Sequence, residues 1–209
     1  MRYSGCGRFL FIRLVIGIHS YCMTGGKGKR HEKRFHGQAE SLRSPARVAL
    51  LEVAAVVNLS LENASIRSVL DVGTGTGIFA EAFAAQGLRV TGIDANGELL
   101  KAARAAVPGV EFRQAVLEEL PFGERVFDLV FLGHVLHETD DPLQALREAR
   151  RVARKRVAIL EWPYRREQQG PPLHHRLSPR KIEGWAQTAG YSSIEILKMK
   201  HMDLYRLVP

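Results

Sequence analysis

The sequence predicts an α/β fold in which parallel strands alternate with helices around one core, and three observations carry that prediction. The apolar run Ser68 to Val72 reads as a buried strand. It passes through alternate glycines, Gly73, Gly75 and Gly77, into a helix that begins at Ile78. Further apolar runs, among them Leu88 to Asp94 and Val126 to Leu132, are each followed by helical patterns. A chain of 209 residues with 45% hydrophobic and 25% charged content is long enough for one domain with a sizeable core.

The elements follow in order. Pro45 to Val57 reads as a helix with Ser44 as its cap and Pro45 in its first turn, placed to cover a sheet edge and close a ligand site. The strand at 68–72 and its helix run to about Gln86, where Gly87 stops the helix. Leu88 to Asp94 is the second strand, followed by a helix over 97–106; Val110 to Ala115 is the third strand. Val126 to Leu132 is the fourth, and Asp141-Pro142 opens a helix to about Val152. Arg156 to Glu161 is the fifth strand. A helix over 179–189, with Ser178 as cap and Gly190 as stop, precedes two closing strands, 194–198 and 202–208.

The glycine turn is the chemical centre of the chain. A strand that enters a helix through glycines brings free backbone N–H groups and the positive end of a helix dipole to one spot, and lets a ligand approach the backbone closely. The dinucleotide fingerprint G-x-G-x-x-G would require glycine where Ile78 stands, which disfavours an NAD-dependent oxidoreductase. Asp94, at the end of the second strand and 23 residues after Asp71, is placed to accept both ribose hydroxyls of an adenosine cofactor. Its competing role is the cap of the next helix.

The pattern Asp71-x-Gly73-x-Gly75-x-Gly77 resembles motif I of the class I S-adenosylmethionine (SAM)-dependent methyltransferases. Two later stretches resemble the same family: Glu118 with Leu120-Pro121-Phe122, and the phrase from Phe127-Asp128-Leu129-Val130 through Val135-Leu136-His137 to Asp141-Pro142. The chain most resembles the small type-11 branch, beside ubiquinone and menaquinone biosynthesis-like enzymes, over about residues 35–209. The resemblance implies a Rossmann-like three-layer sandwich with a mostly parallel seven-stranded sheet and an antiparallel last strand. It also implies SAM as cofactor, held by Asp71, Gly73, Thr74, Gly75, Thr76, Gly77, Asp94, Ala95, Val116, Leu117, Gly133 and His134. Asp71 would fix the methionine end, directly or through water. Val116 stands where the family's adenine-reading Asp is usual, so the Leu117 backbone N–H is left to read the ring.

The implied reaction is methyl transfer to a small molecule by in-line displacement, for which a protein needs mainly to position groups and sometimes to remove a proton. Candidate bases are His134, His137 and Glu161, with His174 and His175 further along; Tyr164 is a candidate for orienting substrate. His137 has a plain alternative, local packing or capping. His174-His175-Arg176 would either face an anionic substrate or form a surface loop. No metal is expected, since neither an H-x-x-x-H nor a cysteine pattern is present. A SAM-binding protein that does not methylate is the other class on the same fold.

Residues 1–36 hold eight Lys or Arg against the single acid Glu32, which accounts for +7 of the formal +8. The basicity therefore belongs to an N-terminal extension over 1–36, expected to be flexible, with Met23 as an alternative start and the methyltransferase domain over 37–209. No nucleic-acid partner is expected from a charge so placed, and the Arg147 to Arg156 stretch reads largely as a solvated face. Only Cys6 and Cys22 are present, which excludes a disulfide framework. No stretch reaches the ~20 apolar residues of a membrane span, and a cytoplasmic location is expected.

Overall fold

The computed structural model describes residues 42–209. The expected N-terminal extension and the alternative start at Met23 lie outside the described residues. Two helices, α1 (Pro45–Leu50) and α2 (Val53–Leu61), lead into β1 (Ser68–Val72). Then come α3 (Ile78–Ala84), β2 (Arg89–Asp94), α4 (Gly97–Ala106), β3 (Glu111–Gln114) and β4 (Phe127–Gly133). A short 3-10 turn (Leu136–Glu138) leads to α5 (Pro142–Val152) and β5 (Ala153–Glu161); α6 (Pro179–Ala189), β6 (Ser193–Lys198) and β7 (Asp203–Val208) complete the order.

The seven strands form one sheet in the order β3-β2-β1-β4-β5-β7-β6. β1 to β5 run parallel, and β7 is antiparallel to both β5 and β6. That is the expected mostly parallel sheet with its last strand reversed. Helices cover both faces, so the central strands need no polar side. Leu129, Val130, Phe131 and Leu132 of β4 are all fully buried, which is why the run reads as continuously apolar. Alternation then distributes them: Val130 and Leu132 join Leu146, Ile159 and Ile182 on one face, Leu129 and Phe131 join Phe79, Phe83 and Leu160 on the other.

Three local expectations are corrected. The helix expected over 45–57 is broken, because Leu51 ends α1 and Glu52 adopts a left-handed backbone with φ 50° before α2 starts. Ser44 does cap α1, accepting the Arg47 N–H at 3.3 Å. Ser178 makes no side-chain cap bond. β5 starts at Ala153 rather than Arg156, since α5 passes directly into the strand.

The basic stretch from Arg147 to Arg156 is exposed at Arg147, Arg150, Arg154 and Lys155, as expected of a solvated face, but several of its cations are also engaged. Arg151 donates to the carbonyls of Phe122 and Leu120 at 2.7 and 3.0 Å while gripping Glu148. Arg154 donates to Asp128 at 2.8 Å, Lys155 to the Ser65 carbonyl, and Arg156 to the carbonyls of Ser60 and Glu62. Arg206 from β7 joins them through Leu59 O, Glu62 and Glu195. Burial pushes the Asp128 carboxyl up, but hydrogen bonds from Arg154 and the Arg67 N–H outweigh it and leave its pKa below the ordinary value. These cations tie down backbone carbonyls along the N-terminal ends of the strands.

Candidate active site

The opposite ends of the strands hold a cavity of about 430 Å³. In open parallel sheets this is where ligands bind, outside the strand C-termini beside the point where strand order reverses between β1 and β4.

The glycine loop forms one wall. Gly73 has φ +69°, and a Cβ there would sit 2.6 Å from the Val135 Cβ, so both its angle and its neighbour require glycine. Gly75, with φ +55°, meets little but open space: the nearest atom to a Cβ would be Leu42 Cδ1 at 3.9 Å. Its N–H donates to Asp94 Oδ2 at 2.9 Å, while Asp94 Oδ1 accepts the Asn96 N–H at 2.8 Å. Asn96, not Asp94, caps α4, by accepting the N–H groups of Glu98 and Leu99. The capping alternative for Asp94 is thereby removed. The buried Thr76 hydroxyl has no hydrogen-bond partner among the described residues, and Thr76 lines the cavity.

Asp71 stands behind the loop, off the cavity wall. It is buried at the end of β1 and accepts the Thr74 hydroxyl at 2.6 Å. Burial raises its pKa to about 7, against the lowering effects of the Thr74 hydroxyl and the Ala80 N–H; the nearby Asp94 adds to the rise. The structure therefore makes Asp71 a support for the loop. Gly77 is likewise off the wall: with φ +82° it is the residue before α3 and turns the chain into that helix. Of the other expected cofactor residues, Gly73, Thr74, Gly75, Thr76, Asp94, Ala95, Val116, Leu117, Gly133 and His134 all line the cavity. Val116 is exposed and Leu117 buried; the segment that carries them is held by Glu148, which accepts the Leu120 N–H, and by Arg151.

The third wall follows β4. His134 adopts a left-handed backbone, φ 59°, unusual for any residue but glycine, and its ring lies 5.1 Å from that of Trp162. His137, buried in the 3-10 turn, meets Glu161 twice: its Nδ1–H donates to Oε2 at 2.8 Å and its backbone N–H to Oε1 at 3.1 Å. Its Nε2 lies 3.9 Å from Glu138 Oε1. His137 and Glu138 line the cavity; Glu161, buried at the end of β5, stands behind His137. Two of the candidate bases are thus one hydrogen-bonded pair, brought together because β4 and β5 are neighbours with Gly133 paired to Leu160.

The later candidates fall elsewhere. His174 is exposed and stacks edge-on against His175 in a second 3-10 turn, and neither lines the cavity; Tyr164 is half exposed and also off it. Arg176 is also off the cavity lining. It is buried and donates to the carbonyls of Pro163, Gln169 and Pro171, with its guanidinium 5.6 Å from the Trp162 ring centre. It folds that loop over Trp162, whose ring would lie 2.6 Å from any Cβ at Gly170. Sequence reading missed Arg47 and Trp162 as wall residues and Arg151 and Arg176 as clamps. The run Glu161-Trp162-Pro163 leaving a strand end was the available signal for Trp162.

Residues 70–160 match the model of the methyltransferase domain family of type 11. Over these residues the chain is similar to that methyltransferase family. A demethylmenaquinone methyltransferase of Chlorobaculum tepidum is 38% identical over 93 residues, 44% of this chain and 38% of that protein. Another, of Thermotoga maritima, is 33% identical over 147 residues, 66% of this chain and 64% of that protein. The chain thus spans less than two thirds of either relative. A SAM-dependent methyltransferase structure from Aquifex aeolicus superposes with a TM-score of 0.72 at 23% identity, over 81% of this chain and 96% of that one, which shows the shared fold. No helix among the described residues is long and apolar enough to cross a membrane.

Proposed function

We propose that this chain transfers a methyl group from SAM to a small molecule. The observation that carries the reading is the cavity itself: an open glycine loop, a ribose-height carboxylate and a histidine–carboxylate pair all face or back one space. Its volume is in the range that holds a cofactor-sized ligand. The orphaned Thr76 hydroxyl and the open face of Gly75 fit a polar ligand lying along the loop. Asp94 would take the ribose hydroxyls; a carboxylate has about four acceptor positions, so it can hold Gly75 and Asn96 as well. Gly73, Thr74 and Gly133 would border the methionine part, and Ala95, Val116 and Leu117 the adenine. Asp71 and Gly77 would act by shaping the loop.

Bound SAM supplies an activated methyl on a sulfonium. The chain's part is to orient an acceptor, exclude water and receive a proton. We assign the proton to His137. Glu161 accepts from Nδ1–H and from the backbone N–H, which fixes the ring and its tautomer and makes Nε2 the basic nitrogen of a residue in the cavity lining. Glu161 is a positioning residue in this scheme, and His134 shapes the wall with Trp162. The small-molecule acceptor is supported by the names of the menaquinone-type relatives; a cytoplasmic setting belongs to the same reading.

Calorimetric titration of the full chain with SAM, S-adenosylhomocysteine and NADH, beside Asp94→Ala, tests it. The two sulfur nucleotides are expected to bind at micromolar concentration and the variant to lose at least tenfold. Binding of NADH alone would sink the reading.

A further inference from the structure

Arg47 is a cationic cavity residue that nothing above employs. It projects from α1 into the wall that Leu42 and Leu51 also form. It is partly buried, and desolvation lowers its pKa, with Glu138 the charge that opposes the drop. Among the described residues no side chain hydrogen-bonds or ion-pairs with its guanidinium within 4 Å. A neighbouring arginine shows the contrast: Arg43, one turn earlier, is engaged by Glu81 and the Thr76 carbonyl. A guanidinium is always charged and its five donors match a carboxylate or phosphate edge. Held half-buried without a partner it is costly, so its place on a ligand wall calls for an anion.

The position narrows which anion. Glu138, in the 3-10 turn after β4, lines the same cavity and is the charge that opposes the lowering of the Arg47 pKa. Arg47 shares the cavity lining with His137, His134 and Trp162 and with the apolar residues Leu42, Leu51 and Phe79. We propose that Arg47 binds an acidic group on the methyl acceptor, so that the acceptor is a compact, largely apolar or aromatic acid. The proposal rests on the methyltransferase reading and adds the substrate class. An anionic acceptor would enter against the carboxylates that share the lining, and Glu138, whose field reaches Arg47, gives the proposal a test of sign.

The test uses the full-length chain and a set of aromatic carboxylic acids paired with their carboxamides, which keep the shape and remove the charge. Calorimetry first measures S-adenosylhomocysteine and 5′-methylthioadenosine, which lacks the amino-acid tail, on the wild type, Arg47→Met and Arg47→Lys. The acid and amide pairs are then titrated into protein saturated with S-adenosylhomocysteine. The wild type is expected to prefer acids at least tenfold, Arg47→Met to lose the preference, Arg47→Lys to recover part of it, and Glu138→Gln to strengthen it. Thermal melts confirm that the variants fold.

Absence of any acid preference in the saturated wild type, or a preference that survives Arg47→Met, overturns the proposal and leaves the cofactor reading standing. A tenfold loss of S-adenosylhomocysteine affinity in Arg47→Met, with 5′-methylthioadenosine unchanged, overturns it by assigning Arg47 to the cofactor's own carboxylate. Failure of the wild type to bind S-adenosylhomocysteine removes the cofactor reading, and the acceptor assignment falls with it.

Discussion

The two ends of the sheet are built on opposite terms. At the N-terminal ends Arg67, Arg154, Lys155, Arg156 and Arg206 meet carboxylates and carbonyls, and Asp128 is ionised below the ordinary pKa because its partners outweigh its burial. At the C-terminal ends the groups are held at some cost: a non-glycine residue at positive φ, a buried carboxyl pushed up to about 7, and a hydroxyl without a partner. On the proposed reading one end contributes stability and the other holds groups for a ligand, a contrast that does not depend on any relative.

Breaking the comparison at its sharpest point gives the largest effect. Gly73→Ala forces a Cβ against Val135 at a left-handed φ, and should cost about 3 kcal/mol, from the backbone angle and the overlap together. It should also weaken S-adenosylhomocysteine binding by more than tenfold. Urea unfolding and calorimetry read the two effects, and an unchanged affinity would mean that the loop is not a cofactor wall. Asp128→Ala is the counterpart at the other end. Losing two hydrogen bonds, one to a half-exposed arginine, should cost about 2 kcal/mol of stability and leave S-adenosylhomocysteine affinity within twofold.

The smallest effect sharpens the contrast through pH. The Asp71 pKa is raised by folding, from an ordinary 3.8 to about 7, so the folded state binds the extra proton. Its contribution to stability is complete below about pH 4 and is lost as pH rises through about 7. Wild-type protein without cofactor should therefore lose about 1.4 kcal/mol relative to Asp71→Asn between pH 6 and pH 8. Parallel pH profiles would refute the assignment.

Much of this was legible in the sequence because it lay in short patterns. Continuous apolar runs mark strands buried on both faces, and the glycine loop, Asp94 and the Val116-Leu117-Glu118 stretch announce a cavity wall within a few residues each. What stayed hidden depends on contacts between distant segments. Arg151 grips carbonyls about thirty positions earlier, and Glu161 meets His137 across 24 residues because a parallel crossover sets their strands side by side. Composition sees Arg151 and Arg176 only as charge. Likewise His174 and His175 follow the same strand as Trp162, but the Arg176-clamped loop carries them away from the cavity.

The contact between Gly73 and Val135 has a consequence for how such a site can change. The loop that borders the cofactor and the turn that presents His137 are separated by a single clearance, too narrow for one methyl group. A larger side chain at 135, introduced to reshape the acceptor space, would displace the glycine loop as well. On the proposed reading, acceptor preference and cofactor affinity are therefore coupled through this contact, and a substitution that retunes one of them here would need a second on the facing side.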